Sequence, residues 1–238
     1  MVKILYNNKI VKKQYTNGNV INKIPFVVEN EGQKETLYWQ YADMGTPTPP
    51  LPYDAEVEYL ESDGASYINT GAYLNTSNFE IGYEQVGVGT EKHWGYAHQG
   101  VASGAWVAVM HDIACFGQIT NYVTISPYLT SGNNILKYTQ SGITVNGTTL
   151  SKNLSLSGRD NLNTFAVPIF AWYDFDSRGI QYSQNYQLKS FYIKNNGTLV
   201  VDMIPVRKNG VGYMYDRVSG QLFANAGTGD FIIGPDVA

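Results

Sequence analysis

Cysteine occurs once in this 238-residue chain, at Cys115, which excludes an internal disulfide and any multi-cysteine zinc site. The residue stands in the run Ile113-Ala114-Cys115-Phe116, where a small buried hydrophobe is the expected role and a nucleophile is not. Charge is scarce as well. Only 15% of residues are charged and the net charge is -4, whereas a nucleic-acid partner calls for a basic face. An uncharged polar surface suits a protein packed into an assembly, or one that meets neutral, hydroxyl-rich ligands. Long apolar runs are missing: none approaches membrane-spanning length, and the first eight residues lack the core of a secretion signal. Synthesis and folding in a cytoplasm, with no membrane insertion, is therefore expected. Sustained helical periodicity is absent, and so is any repeat of about 20–50 residues, which argues against bundles, propellers and solenoids.

Aromatic and turn-forming residues are plentiful. Aromatics make up 13% of the chain, with 19 Tyr and 24 Gly, a balance that favours β-structure with many turns. Residues 1–43 form a distinct region of short alternating runs (3–6, 10–15, 23–28 and 36–41) punctuated by Asn7-Asn8, Asn17-Gly18-Asn19 and Glu31-Gly32. So short a region needs a partner surface or copies of itself. Its lysines Lys3, Lys9, Lys12, Lys13 and Lys23 all precede the first acid, Glu29, and either guard unpaired edges or meet an acidic particle surface. Residues 44–54 hold Pro47, Pro49, Pro50 and Pro52, a stiff extended spacer and the expected domain boundary.

Residues 55–238 carry strand signals at short spacing, the pattern of a sandwich. The clearest hairpin is 143–150: with Asn146-Gly147 as a two-residue turn, Val145 faces Thr148, Thr144 faces Thr149 and Ile143 faces Leu150. Further strands are expected at 56–60, 79–85, 94–97, 106–111, 122–125, 134–138 and 165–173. Near the C-terminus, two apolar runs flank Asn195-Asn196-Gly197. A two-residue turn there would set Phe191 against Asp202; a three-residue loop pairs Ile193 with Leu199 and Phe191 with Val201, and is preferred on that ground. Pro205 is expected to interrupt the ladder, and a closing strand falls at 231–233.

The order Leu199-Val200-Val201-Asp202-Met203-Ile204-Pro205-Val206-Arg207, Met214-Tyr215-Asp216, Ser219-Gly220-Gln221-Leu222-Phe223 and Asn225-Ala226-Gly227-Thr228-Gly229 resembles the end of a known domain type. It is similar to the concanavalin A-like (laminin G-like) jelly-roll domains of tailed-phage structural proteins and their prophage relatives. The block Glu58-Tyr59-Leu60-Glu61-Ser62-Asp63-Gly64-Ala65-Ser66-Tyr67-Ile68-Asn69-Thr70-Gly71 matches the start. The resemblance implies an all-β concanavalin A-like jelly-roll β-sandwich over 55–238, behind a small N-terminal β attachment region.

Catalysis finds little support. A retaining glycosidase on this fold needs carboxylates about 5 Å apart on alternate residues of a strand. Glu56-Val57-Glu58 and Asp174-Phe175-Asp176 come nearest, and neither completes a Glu-x-Asp-x-Glu run. Asp174, Asp176, Asp160 and Asn161 could offer oxygen ligands to calcium, as in some laminin G-like domains, the one cofactor left open. His93, His98 and His111 are scattered without a metal-ligand frame. Sugar rings stack on Trp and Tyr while Asp and Asn hold their hydroxyls. Trp94, Tyr96, Trp172, Tyr173 and Asp174 are the expected glycan platform.

The sequence thus reads as a non-enzymatic phage virion protein, a fibre or decoration protein, made in a bacterial cytoplasm. Its N-terminal region would dock on other virion proteins and its sandwich on host-surface or mucosal glycan. Homo-oligomerisation, as a trimer, follows from how such components assemble. The alternatives are a purely structural virion or assembly protein binding neighbouring protein, and a glycan depolymerase.

Overall fold

A computed structural model describes residues 51–74, 78–87, 92–97, 106–110, 112–118, 120–155, 166–174, 179–182 and 184–237, the side chains of 92–94, 96–97, 106, 182 and 184–185 excepted, and the backbone of six strands before residue 41. The chain divides into two compact units, Met1–Pro50 and Leu51–Ala238. The first holds three antiparallel hairpins, each a separate two-stranded sheet: β1 (Ile4–Tyr6) with β2 (Lys9–Val11), β3 (Tyr15–Thr16) with β4 (Asn19–Val20), and β5 (Lys23–Asn30) with β6 (Gln33–Gln40). The run 10–15, expected as one strand, is instead divided between β2 and β3.

The second unit is all-β, with two large sheets sharing one core. The larger runs in the order β17 (Thr148–Ser151), β16 (Gly142–Val145), β15 (Asn133–Thr139), β10 (Phe79–Val86), β21 (Gln184–Asn195), β22 (Thr198–Lys208), β23 (Val211–Asp216) and β24 (Gln221–Phe223). Branching from it are β7 (Ala55–Glu56) on β22, β8 (Leu60–Asp63) on β21, and β25 (Phe231–Ile233) on β8. The smaller runs β14 (Tyr122–Thr124), β13 (Ile113–Phe116), β12 (Trp106–Met110), β11 (Lys92–Ala97), β19 (Ala171–Asp174) and β20 (Gly179–Tyr182). A further pair, β9 (Ile68–Asn69) with β18 (Pro168–Ile169), stands apart.

Alternation along the strands builds the core between the sheets. Phe79, Ile81 and Tyr83 of β10, Leu136 and Tyr138 of β15, and Phe191 and Ile193 of β21 are buried with Val107, Val109 and Phe116 from the smaller sheet. Tyr138 joins the two layers. Its ring stacks between Phe79 at 5.9 Å and Phe116 at 4.6 Å, and its hydroxyl donates to the Cys115 carbonyl at 2.6 Å. Each such buried aromatic contributes about 1.5–3 kcal/mol over an exposed one. Cys115 is itself fully buried, as its apolar run foretold.

Three expectations are corrected. The 188–206 hairpin turns through two residues, Asn196 (φ 51°) and Gly197 (φ 77°), with Asn195 opposite Thr198. A bulge at Val200 then shifts the register so that Ile193 meets Val201 and Phe191 meets Met203, all four buried. The bulge removes the mismatch that had argued for a longer loop. Pro205 lies within β22 and does not interrupt it. It pairs with Met214, and its carbonyl accepts from Val57 N on the other side, where the partner of β22 changes from β21 to β7; its nitrogen faces that same side, so the missing donor falls at the changeover and not toward β23. The run 165–173 is not one strand, because Phe170 (φ 63°) separates β18 from β19. A left-handed phenylalanine is strained by roughly 1–3 kcal/mol. Packing against Tyr186 at 4.9 Å and Phe231 at 5.3 Å, and a bond from its N–H to the Tyr186 hydroxyl at 3.1 Å, hold it there.

The two blocks that carry the family resemblance bind each other. Asp63 accepts from Ala65 N and Asp230 N, both at 2.8 Å. Asn225 accepts from Tyr67 N at 3.0 Å and Gly227 N at 2.8 Å, and donates to the Gly229 carbonyl. Thr228 N donates to Ala65 O at 3.0 Å. A Cβ at Gly227 would strike the Ala65 carbonyl, and one at Gly229 the Asp63 carboxylate, which is why the block reads Gly-Thr-Gly. Burial works to raise the Asp63 carboxyl, and the bonds from Ala65, Asp230 and Ser66 outweigh it, holding it below its ordinary range. Asp216 likewise serves a turn, accepting from Asp202 N, Val218 N and Ser219 N. Tyr53 and Asp54, read from sequence as spacer, are bonded to the sandwich: Tyr53 to Glu56 at 2.9 Å, and Asp54 N to Arg207 O at 2.9 Å.

Candidate functional site

The expected platform residues do come together on neighbouring parallel strands. In register, Gly95 of β11 pairs with Trp172 of β19, Tyr96 with Tyr173, and Ala97 with Asp174. Two of them are nevertheless withdrawn from solvent. Trp172 is 3% exposed and forms a small apolar cluster with Cys115, on which Met110 and Ile113 pack, so it has no ring face to offer a sugar. Asp174 is 5% exposed. Tyr173 is half-buried against the main core, and the side chains of Trp94 and Tyr96 lie outside the described residues. A signal for this burial was available in the sequence. Gly95, Ala108 and Cys115 stand in one register row beside Trp172, and such small residues leave room for a large ring.

Carboxylates and metal ligands do not converge among the described residues. Glu56 and Glu58 are exposed on either side of buried Val57. No group of three or more His, Cys, Asp or Glu side chains could hold a metal ion among the described residues. Asp160, Asn161, Asp176, His98 and His111 lie outside them, as does the His93 side chain.

A concavity does open on the outer face of the larger sheet. It is about 340 Å³ in volume and is lined by Glu84, Ile135, Lys137, Thr144, Ser190 and Tyr192. Beside it, Gly82 of β10 lies in register between Lys137 on β15 and Tyr192 on β21. A side chain at Gly82 would collide with the Tyr192 ring, so the glycine is what lets that ring lie across the sheet. The ring is fixed at its far end: its hydroxyl donates to Glu80 Oε1 at 2.8 Å, and Lys194 Nζ reaches the same oxygen at 2.9 Å while lying 5.1 Å from the ring centroid.

The charges of this face largely cancel. Partial burial raises the Glu80 carboxyl, but the bonds from Lys194 and Tyr192 outweigh it and hold the group below its ordinary range. Burial, then the bond and charge of Glu80, push the Tyr192 phenol well up. Glu84 pairs with Lys189 at 3.6 Å. What remains at the rim is an aromatic edge, a 62% exposed Ile135, the Lys137 ammonium, and the Thr144 and Ser190 hydroxyls. Sequence reasoning passed over this set because its members come from three segments widely separated in the chain, β10, the β15–β16 hairpin and β21, and Tyr192 reads locally as one more residue of an alternating hairpin.

No family model, no curated protein and no solved structure matches this chain.

Proposed function

We propose that the protein is a non-enzymatic surface component of a tailed-phage virion, a fibre or decoration protein whose sandwich is a concanavalin A-like jelly roll. Residues 1–43 attach it to other virion proteins, and the Tyr192 groove binds host-surface or mucosal glycan. The virion assignment rests on the sequence resemblance. The glycan assignment rests on one observation, the shallow groove in which a pinned aromatic ring is surrounded by hydroxyls and paired charges. A volume of about 340 Å³ suits one or two sugar rings lying along a surface. Apolar C–H faces would lie on Tyr192 and Ile135, and Ser190, Thr144 and Lys137 would meet ring hydroxyls.

Binding is favoured over hydrolysis because Glu80 is held ionised by Lys194 and Tyr192, the wrong state for protonating a leaving group. Assembly as a trimer belongs to the same reading, and so does an optional calcium ion with oxygen ligands from Asp174, Asp176, Asp160 and Asn161. The exposed Ile135 also suits a neighbouring protein, which keeps the purely structural virion role as the second reading.

A glycan-array screen of the full chain, with and without calcium, tests the proposal, beside Tyr192→Ala and Trp94→Ala variants shown to remain folded. Binding lost with Tyr192→Ala supports the groove. Binding lost with Trp94→Ala alone moves the site to the smaller sheet. Absence of binding to any host-type glycan leaves the structural role as the better account.

A further inference from the structure

Three Asn-Gly dipeptides in the sandwich adopt nearly the same backbone: Asn146 (φ 49°)-Gly147 (φ 86°), Asn196 (φ 51°)-Gly197 (φ 77°) and Asn209 (φ 51°)-Gly210 (φ 77°). Each links consecutive antiparallel strands through a two-residue turn. All three asparagines are exposed, and each is followed by the residue that least hinders attack by its own backbone nitrogen. Their side chains differ. The Asn146 amide is held at both ends, its Oδ1 accepting from Ile135 N at 2.9 Å and its Nδ2 donating to Tyr128 O and Asn134 Oδ1, each at 2.9 Å. Asn134, which is fully buried, is itself fixed by bonds to the carbonyls of Gly87, Thr130 and Gly132. Among the described residues no hydrogen bond restrains the Asn196 or Asn209 side chain, and each is free to rotate its Cγ toward the following nitrogen.

We propose that Asn196 and Asn209 are sites of spontaneous deamidation and that Asn146 is protected from it. The glycine nitrogen attacks the asparagine Cγ; the new N–Cγ bond forms, the Cγ–Nδ2 bond breaks, and ammonia leaves with the proton lost by the glycine amide. Water then opens the cyclic imide at either carbonyl. One opening yields aspartate; the other yields isoaspartate, in which the chain runs through the side-chain carbon. No oxidation or reduction occurs, and water is the sole co-reactant.

The consequence is largest at Asn209. Its backbone N–H donates to Asp54 Oδ2 at 2.6 Å, close to where the chain enters the sandwich. Conversion sets a second carboxylate beside that of Asp54, and the isoaspartyl form also lengthens the turn carrying the N–H. Modification at Asn209 therefore loosens the attachment of Asp54, whereas modification at Asn196 alters only a hairpin tip whose N–H bonds to Asn78 O at 2.9 Å.

The full chain, incubated at mildly alkaline pH and sampled over time, would be mapped by peptide mass spectrometry and probed with an isoaspartyl-specific methyltransferase. A urea-unfolded sample supplies the intrinsic rates. Unfolded, the three sites should react at comparable rates. Folded, Asn146 should react on the order of 30-fold more slowly than when unfolded, the effect of breaking two or three hydrogen bonds before attack. Asn196 and Asn209 should change far less. Native-state conversion of Asn146 at the rate of the other two overturns the proposal, as does equal protection of all three. An Asn209→Asp variant should show faster amide exchange at residue 209 than wild type, and unchanged exchange there would refute the link to Asp54.

Discussion

The two sheets share one interior and differ on their outer faces, although both set a large aromatic beside a glycine. On the larger sheet Tyr192 crosses Gly82 and is tied by its hydroxyl to Glu80, amid lysines, hydroxyls and an open groove. On the smaller sheet Trp172 stands in register with Gly95, beyond which lie Ala108 and Cys115, and the cluster is closed to solvent. A phenol can bury its ring edge and still satisfy a polar tip at the surface, so a face built on it stays accessible. The Trp172 indole packs among Cys115, Met110 and Ile113, and its face becomes a second core. The type of aromatic, and the polarity of the row it lies in, separates the open face from the closed one.

Substitutions that cut either aromatic test this contrast. The largest effect is expected for Trp172→Ala, which should cost about 3–5 kcal/mol as a core truncation, seen as a lowered urea midpoint, with glycan binding unchanged in the protein that remains folded. A loss of binding without a loss of stability would reverse the assignment of the two faces. Gly82→Ala should come next, at about 1–3 kcal/mol, because its Cβ must displace the Tyr192 ring, and here binding should fall together with stability. Tyr192→Phe removes one hydrogen bond, worth about 1 kcal/mol at a partly exposed position.

That variant should also change the acid limb of a thermal-stability profile. The Glu80 carboxyl is lowered in the fold, so its contribution is fully present above the unfolded value of 4.5 and is lost as pH falls through the folded value. Wild type should weaken as pH falls below 4.5, and Tyr192→Phe should show a shallower decline because part of the shift is gone. The smallest stability effect belongs to Ile135→Ala, within about 0.5 kcal/mol, and there glycan affinity is the sensitive readout. A melting temperature shifted as far as in Gly82→Ala would mean that Ile135 is a packing residue and the groove is not open.

Local patterns were legible and their departures were not. The 143–150 hairpin shows the pairing read from its sequence, Val145 with Thr148 through Ile143 with Leu150, because a strong Asn-Gly turn and one apolar face leave a single register. In the 188–206 hairpin the same turn chemistry was present, and it was rejected because the mismatch beyond it is resolved by a bulge, which leaves no mark in residue type. Pro205 was read against an average central strand, while its real neighbours change from β21 to β7 at that very residue. Phe170 takes a left-handed backbone for reasons that lie in Tyr186 and Phe231, remote in sequence. The same remoteness hid the groove: Gly82, Ile135, Thr144 and Tyr192 become neighbours only once four strands have aligned.

The mutual bonding of residues 62–67 with 225–230 also governs when the sandwich can form. Asp63 finds its second amide donor in Asp230, 167 positions later, and β8 gains its outer partner only in β25. A ribosome releasing the chain in order exposes the β8 edge and an incomplete core until β25 has emerged. Closure is thus a late event of high contact order, which favours slow folding and a period in which unpaired strands can meet those of other nascent chains. Residues 225–233 thus act as the latch that ends that exposure.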